Sequence, residues 1–283
     1  MAFATRFGAS NPFDGSCLLV SSPFLSPAVL ASVRLVLAFF MTFTLLFVLC
    51  WDIAVTHDAN EFFSYFTELT GIGLAAYLWH SGTQTAIYAR NLRRAKIVGT
   101  PLGTAYPLTG WHPSLQVLHM LLLASIRTFP FIVSIVFWTL LASKGSLRNA
   151  YMRYNNVSLH GVNSLCALFE IFGTNTPVSS WWTLLPLLAI LAAYLGVAYI
   201  TYATQGFYTY SFLDPKHGTL RLACSLVGIA VGTIVIFSIV QGLVMLRVRL
   251  TRKREARRIE LMDALRTSGS SMSSLELCKR MDA

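Results

Sequence analysis

Charge is what this sequence has little of. Of its 283 residues only 12% are Asp, Glu, Lys or Arg, about half the share of a soluble domain, which leaves too little polar surface to coat a water-soluble body. Motif chemistry is equally scarce. There is no P-loop, dinucleotide fingerprint, HExxH zinc site or serine elbow, and no metal or organic cofactor is implied. The five cysteines, Cys17, Cys50, Cys166, Cys224 and Cys278, are odd in number and scattered, so they make neither a disulfide framework nor a metal spacing. The first 27 residues hold Pro12, Pro23, Pro27 and one basic residue, Arg6, without the charged-then-apolar layout of a cleavable signal. The first hydrophobic span is expected to double as the insertion signal.

What is present is hydrophobic: 55% of the residues, with a mean hydropathy of +0.59. Apolar runs long enough to cross a ~30 Å hydrocarbon layer recur along the chain. They predict an all-α, polytopic membrane bundle of about six transmembrane helices, near residues 29–50, 62–79, 115–141, 156–172, 181–204 and 220–246. Residues 1–27 form an N-terminal extension, 28–246 the transmembrane domain, and 247–283 a basic tail with a Ser-rich end. The formal charge of +10 comes from basic residues between and after the apolar runs. Charge placed there sets topology and attracts anionic lipid; nucleic acid is not an expected partner. Arg90, Arg93, Arg94, Lys96 and the cluster 247–258 fall on one side, which places both termini in the cytosol, in the endoplasmic reticulum or plasma membrane. Residues 246–265 read as a basic amphipathic helix lying on anionic lipid. Asn156-Val157-Ser158 fits a glycosylation triplet but lies too close to the bilayer to be modified.

The second and fourth spans are the most polar, and both start on the same face of the membrane. Counting ~1.5 Å per residue, Thr67 and His160 both fall roughly 6 to 8 Å below that face, where they can share a pocket walled by the tyrosine-rich end of the fifth span. Histidine can take the proton of an otherwise weak threonine nucleophile near neutral pH, and helix N-termini favour a developing oxyanion. Acyl transfer on an amphiphilic ester is the chemistry this pair points to. The bland alternatives are a threonine bonded to its own backbone and a histidine in a structural hydrogen bond. Thr70 offers a second threonine one turn on. Asn163 is the candidate to hold the imidazole, with Asp214 as an alternative; Glu170 is too distant. Glu68 is expected to pair with Arg127 or Arg34, and Tyr202 to support the pocket wall.

The segments Phe62-Phe63-Ser64-Tyr65-Phe66-Thr67 and Ser158-Leu159-His160-Gly161-Val162-Asn163, the latter followed by Ala167-Leu168-Phe169-Glu170, resemble the androgen-induced and androgen-dependent family of integral membrane proteins, with a closer likeness to its fungal and bacterial six-span relatives. In the animal members an intramembrane threonine and histidine hydrolyse fatty acid esters of hydroxy fatty acids. The resemblance covers roughly residues 34–246 and implies Thr67 as the nucleophile and His160 as its partner. It departs from the animal proteins just after His160, at Gly161 and Val162. The expected partners are therefore membrane lipid, an amphiphilic lipid ester as substrate, and anionic lipid at the tail. In a rival reading the same pocket belongs to a non-catalytic lipid-binding or small-solute transport protein.

Overall fold

A computed structural model describes residues 2–99, 102 and 104–267; Cys278 and the Ser-rich end lie outside the described residues. Among those described, all regular structure is helical. The long helices are α1 (Pro27–Trp51), α2 (Phe66–Val98), α3 (Pro113–Val136), α4 (Ala150–Val157), α5 (Asn163–Phe172), α6 (Leu184–Gln205) and α7 (Thr219–Thr267). A π-helical turn, Ser158–Val162, joins α4 and α5 into one rod.

Local chemistry sets their ends. Ser26 caps α1 by accepting the Val29 N–H, with Pro27 in the first turn, where its missing donor costs nothing. Asn149 accepts the Met152 N–H at 2.8 Å to start α4. Gly99 closes α2 in the left-handed region at φ 68° and donates its N–H to Ala95 O, a conformation that favours glycine.

Among the described residues, four helices are long and apolar enough to cross a membrane: Pro27–Thr56, Pro113–Leu141, Trp181–Gln205 and Thr219–Glu260. The sequence-based expectation was about six. The two rods outside this set are α2 and α4–α5, and the reason is what they bury. Thr67, Ser81, Gln84 and Thr85 of α2 and His160, Asn163 and Glu170 of the second rod all point inward, so polar content that lowers their hydropathy is spent inside the bundle.

One fully buried ion pair ties the bundle together. Arg34 of α1 grips Glu170 of α5 through two hydrogen bonds of 2.8 Å, and both side chains have zero exposure. The same guanidinium donates to Leu19 O at 2.9 Å and Thr85 Oγ1 at 2.8 Å, and Tyr77 donates to Glu170 at 3.1 Å. Glu68, expected to pair with Arg34 or Arg127, pairs with neither and leaves Oε2 buried and unpartnered. Arg127 is held instead by Pro177 O and Ser179 Oγ.

Residues 173–180, between two of the expected spans, hold a buried segment: Thr174, Asn175, Thr176 and Ser179 are all shielded. Their backbone groups therefore need protein partners. Arg127 supplies one, Arg247 donates to Thr176 O and Ile171 O, and the Gln241 amide clasps both the N–H and the C=O of Ser179. Gln241→Leu, which keeps the volume but strands both groups, is expected to lower unfolding free energy by about 1–3 kcal/mol. Thermal unfolding in detergent micelles measures this, and an unchanged midpoint would refute the clasp.

The boundary at residue 247 is not a structural one, because α7 runs unbroken through it. Arg247, Thr251, Arg254 and Arg258 fall on one stripe of α7 at helical spacing. Arg254 donates to Pro23 O and lies 5.4 Å over the Phe24 ring, and Arg258 donates to Ser16 O at 2.7 Å. This part of the tail packs on the N-terminal extension, leaving Arg249, Arg252, Lys253 and Arg257 exposed. The extension is itself built in: Phe13, Cys17, Leu19 and Val20 enter the main core. Asp14 accepts the Tyr106 hydroxyl at 2.5 Å and the Leu18 and Leu19 N–H groups. Burial pushes the Asp14 carboxyl up from its usual range, against those bonds.

Candidate functional site

Thr67 and His160 line the same cavity. It has a volume of about 350 Å³ and is a partly open cleft bordered by α2, α3, the π-helical turn of the α4–α5 rod, α6, α7 and the short 3-10 turn Ser211–Leu213. Its walls are almost wholly apolar, with Phe66, Val133, Leu191 and Ile229 among them; its polar groups are Thr67, His160, Tyr194 and Tyr210. Thr67 and His160 are 7% and 8% exposed, so what accessibility they retain goes to this space.

Thr67 sits in the first turn of α2. The helix does not begin at residue 62: a 3-10 turn, Ala59–Ser64, precedes it, and Tyr65 is an extended residue without a capping side chain. Unpaired N–H groups and the positive end of the helix dipole therefore lie beside Thr67. The turn is pinned from α6, where Tyr194 donates to Ser64 O at 2.9 Å and Thr201 donates to Ser64 Oγ at 3.0 Å. Tyr194 also donates to Thr209 Oγ1 at 3.2 Å, and Tyr210, with its ring centroid 6.3 Å from that of Tyr194, borders the cavity alongside Thr67.

His160 differs from its expected setting. It lies ten residues into a helix that starts at Ala150, far from any helix N-terminus, in the π-helical turn Ser158–Val162. A π turn lets backbone carbonyls accept from elsewhere. The His160 carbonyl accepts the Ser134 hydroxyl at 2.5 Å and the Trp138 indole N–H at 3.2 Å, both from the third span. Phe137, which opens a second π-helical turn, Phe137–Leu141, stacks flat on the imidazole with ring centroids 3.7 Å apart and planes 1° apart. Two π turns thus meet face to face, and the imidazole is locked by a ring on one side and by its own backbone.

The supporting residues fall elsewhere. Asn163 does not hold the imidazole: its amide donates to Leu159 O at 3.2 Å, and both Asn163 Oδ1 and His160 Nδ1 are buried without a partner. Asn163 follows the π turn and is rotated onto its own helix. Thr70 donates back to Thr67 O at 3.0 Å and faces a different groove, as threonines in helices commonly do. Glu68 does not border the cavity. Tyr202 is 37% exposed and stacks on Tyr208 at 4.1 Å, outside the cavity; Gln205 bonds Asn60. Asp214 caps Lys216 N. The tyrosines of the wall are Tyr194 and Tyr210. Tyr194 and Thr201, seven residues apart, share the face of α6 that turns to Ser64, and that spacing was the available signal. Among the described residues no cluster of three or more metal-ligating side chains occurs. Comparisons with family models, with curated proteins and with solved structures find no match for this chain.

Proposed function

We propose that this protein is an intramembrane hydrolase of lipid esters, such as fatty acid esters of hydroxy fatty acids, with Thr67 as nucleophile and His160 as general base. The observation that carries this reading is the shared apolar cavity bordered by both side chains; the resemblance to the androgen-induced family at residues 62–67 and 158–170 supports it. In this reading all six rods cross the bilayer, both termini are cytosolic, and the protein resides in the endoplasmic reticulum or plasma membrane.

The reaction runs in two halves. His160 takes the Thr67 hydroxyl proton as Thr67 Oγ attacks the ester carbonyl carbon. The ester C–O bond then breaks, giving an acyl-threonine, and the leaving alkoxide takes the proton back from His160. Water attacks the acyl-threonine carbonyl, losing a proton to His160; the bond to Thr67 Oγ then breaks, Oγ takes that proton from His160, and the fatty acid leaves with both residues restored. Because Nδ1 is buried, Nε2 is the nitrogen assigned to proton transfer. Tyr210 and the N–H groups opening α2 are assigned to the oxyanion. The site needs no cofactor for these steps.

Covalent labelling tests it. A lipophilic fluorophosphonate should modify the detergent-solubilised protein at Thr67, as mapped by mass spectrometry, and Thr67→Ala should abolish the adduct. Lipid retained in the cavity with no adduct on any residue would instead identify a binding or transport protein.

A further inference from the structure

A second groove lies against the cavity across a shared wall. It lies on the outer surface between α3 and α7, with a volume of about 400 Å³, and shares four wall residues with the cavity: Ile132, Val136, Phe212 and Ile229. Along α7 its floor follows one helical stripe, Arg221, Ser225, Gly228, Gly232 and Ile236, which spans about 22 Å at ~1.5 Å per residue. At Gly228 and Gly232 an added Cβ would meet nothing within 4 Å, so these glycines are not there for close helix packing. They leave a channel open.

One charge stands in this channel. Arg221, in the first turn of α7, borders its end, and its side chain is exposed. Among the described residues the single ion pair is Arg34–Glu170, so Arg221 has no acidic partner. A long apolar trough that opens beside the proposed reaction centre and ends at a free guanidinium matches one kind of occupant, a single acyl chain whose far end carries a carboxylate. Guanidinium and carboxylate form paired, charge-assisted hydrogen bonds. The chain body would lie on the glycine floor, against the wall of Ile229 and Val136 that the groove shares with the cavity.

We infer that the α3–α7 groove is the acyl site of this protein and that Arg221 selects substrates and products bearing a free carboxylate. This rests on the hydrolase reading for its catalytic consequence, but the binding site can be tested without turnover. A photoreactive long-chain fatty acid, irradiated with the full-length protein in micelles, should label the α7 segment around Gly228. Unlabelled fatty acid should compete about tenfold better than its methyl ester, in keeping with the value of a hydrogen bond to a charged group. Arg221→Gln should erase that difference, and Arg221→Lys should restore part of it. Gly228→Leu fills the channel without touching Arg221 and should abolish labelling of either form.

Equal competition by acid and methyl ester, or stronger competition by a diacyl phospholipid, would overturn the assignment. In turnover, the same preference should appear as a lower KM for the free-acid ester in the unmodified protein, lost in Arg221→Gln with kcat preserved. Labelling as described without any ester hydrolysis would reject the hydrolase reading and leave the groove standing; hydrolysis with no acid preference would do the reverse.

Discussion

Glu170→Gln is expected to lower the unfolding free energy by roughly 3–5 kcal/mol, the cost of leaving one member of a buried ion pair alone. Arg34 would keep its charge at zero exposure, and no other carboxylate is available to it: Glu68 pairs with neither arginine, and Arg127, itself a buried cation, is committed to Pro177 O and Ser179. The loss spreads because Arg34 joins four elements, α1, the N-terminal extension at Leu19, α2 at Thr85 and α5 at Glu170. Arg34→Met should cost a similar amount, by stranding the carboxylate and the Leu19 carbonyl together. The double variant Arg34→Met/Glu170→Met should be less damaged than either single one. It removes both charges and leaves only neutral groups unpaired, at about 1–3 kcal/mol each. Denaturant unfolding in micelles measures all three; single variants that unfold with the unaltered protein would show that the pair contributes nothing.

How far the architecture could be read from sequence follows from what each signal depends on. Apolar runs mark helices because burial in lipid needs only length and composition, and all six rods begin and end within a few residues of their expected positions except where polar sequence is helical too. The polar start of the α4–α5 rod at Ala150 was hidden because Arg153 and Asn155 look like loop residues by composition. Counting spans places Thr67 and His160 at one level, and they border one cavity. The same counting, applied to Arg34 near the start of α1 and Glu170 near the end of α5, puts that pair at one level at the other end of the bundle. The expectation for Glu68 overlooked it. What no periodicity reveals is rotation. A π turn inserts one residue per turn, so the turn Ser158–Val162 rotates everything after it, and Asn163 lands on its own helix rather than beside the imidazole. Tyr202 fails as a wall residue for the same kind of reason, since it is one step of about 100° from Thr201, which faces Ser64. The tail shows the opposite case. Its basic residues fit a lipid-facing surface by composition, but Arg247 is turned to the carbonyls of Ile171 and Thr176, and Arg254 and Arg258 to carbonyls of the folded N-terminal extension.

His160→Gln is expected to reduce kcat for ester hydrolysis by about 10²–10⁴-fold, the usual contribution of a positioned general base, and Thr67→Ala by at least as much. Tyr210→Phe should cost about 10²–10³-fold, as loss of one oxyanion donor does. The combination Thr67→Ala/His160→Gln should be no slower than the worse single variant, because a nucleophile and its base act as a unit and their losses do not add. Thr67→Ser tests the nucleophile without removing it. A serine hydroxyl presents the same nucleophilic oxygen to the cavity and should retain most of the rate. Phe137→Leu separates placement from chemistry: it leaves every proton-transferring atom in place but removes the ring stacked at 3.7 Å on the imidazole, so kcat should fall while Thr67 still accepts the phosphonate. None of these side chains is a hydrogen-bond partner of the Arg34–Glu170 pair, so the variants' unfolding midpoints should remain close to that of the unaltered protein. Full activity in both Thr67→Ala and His160→Gln would eliminate the hydrolase mechanism. Losses that multiplied in the double variant would show that the two side chains do not serve one step.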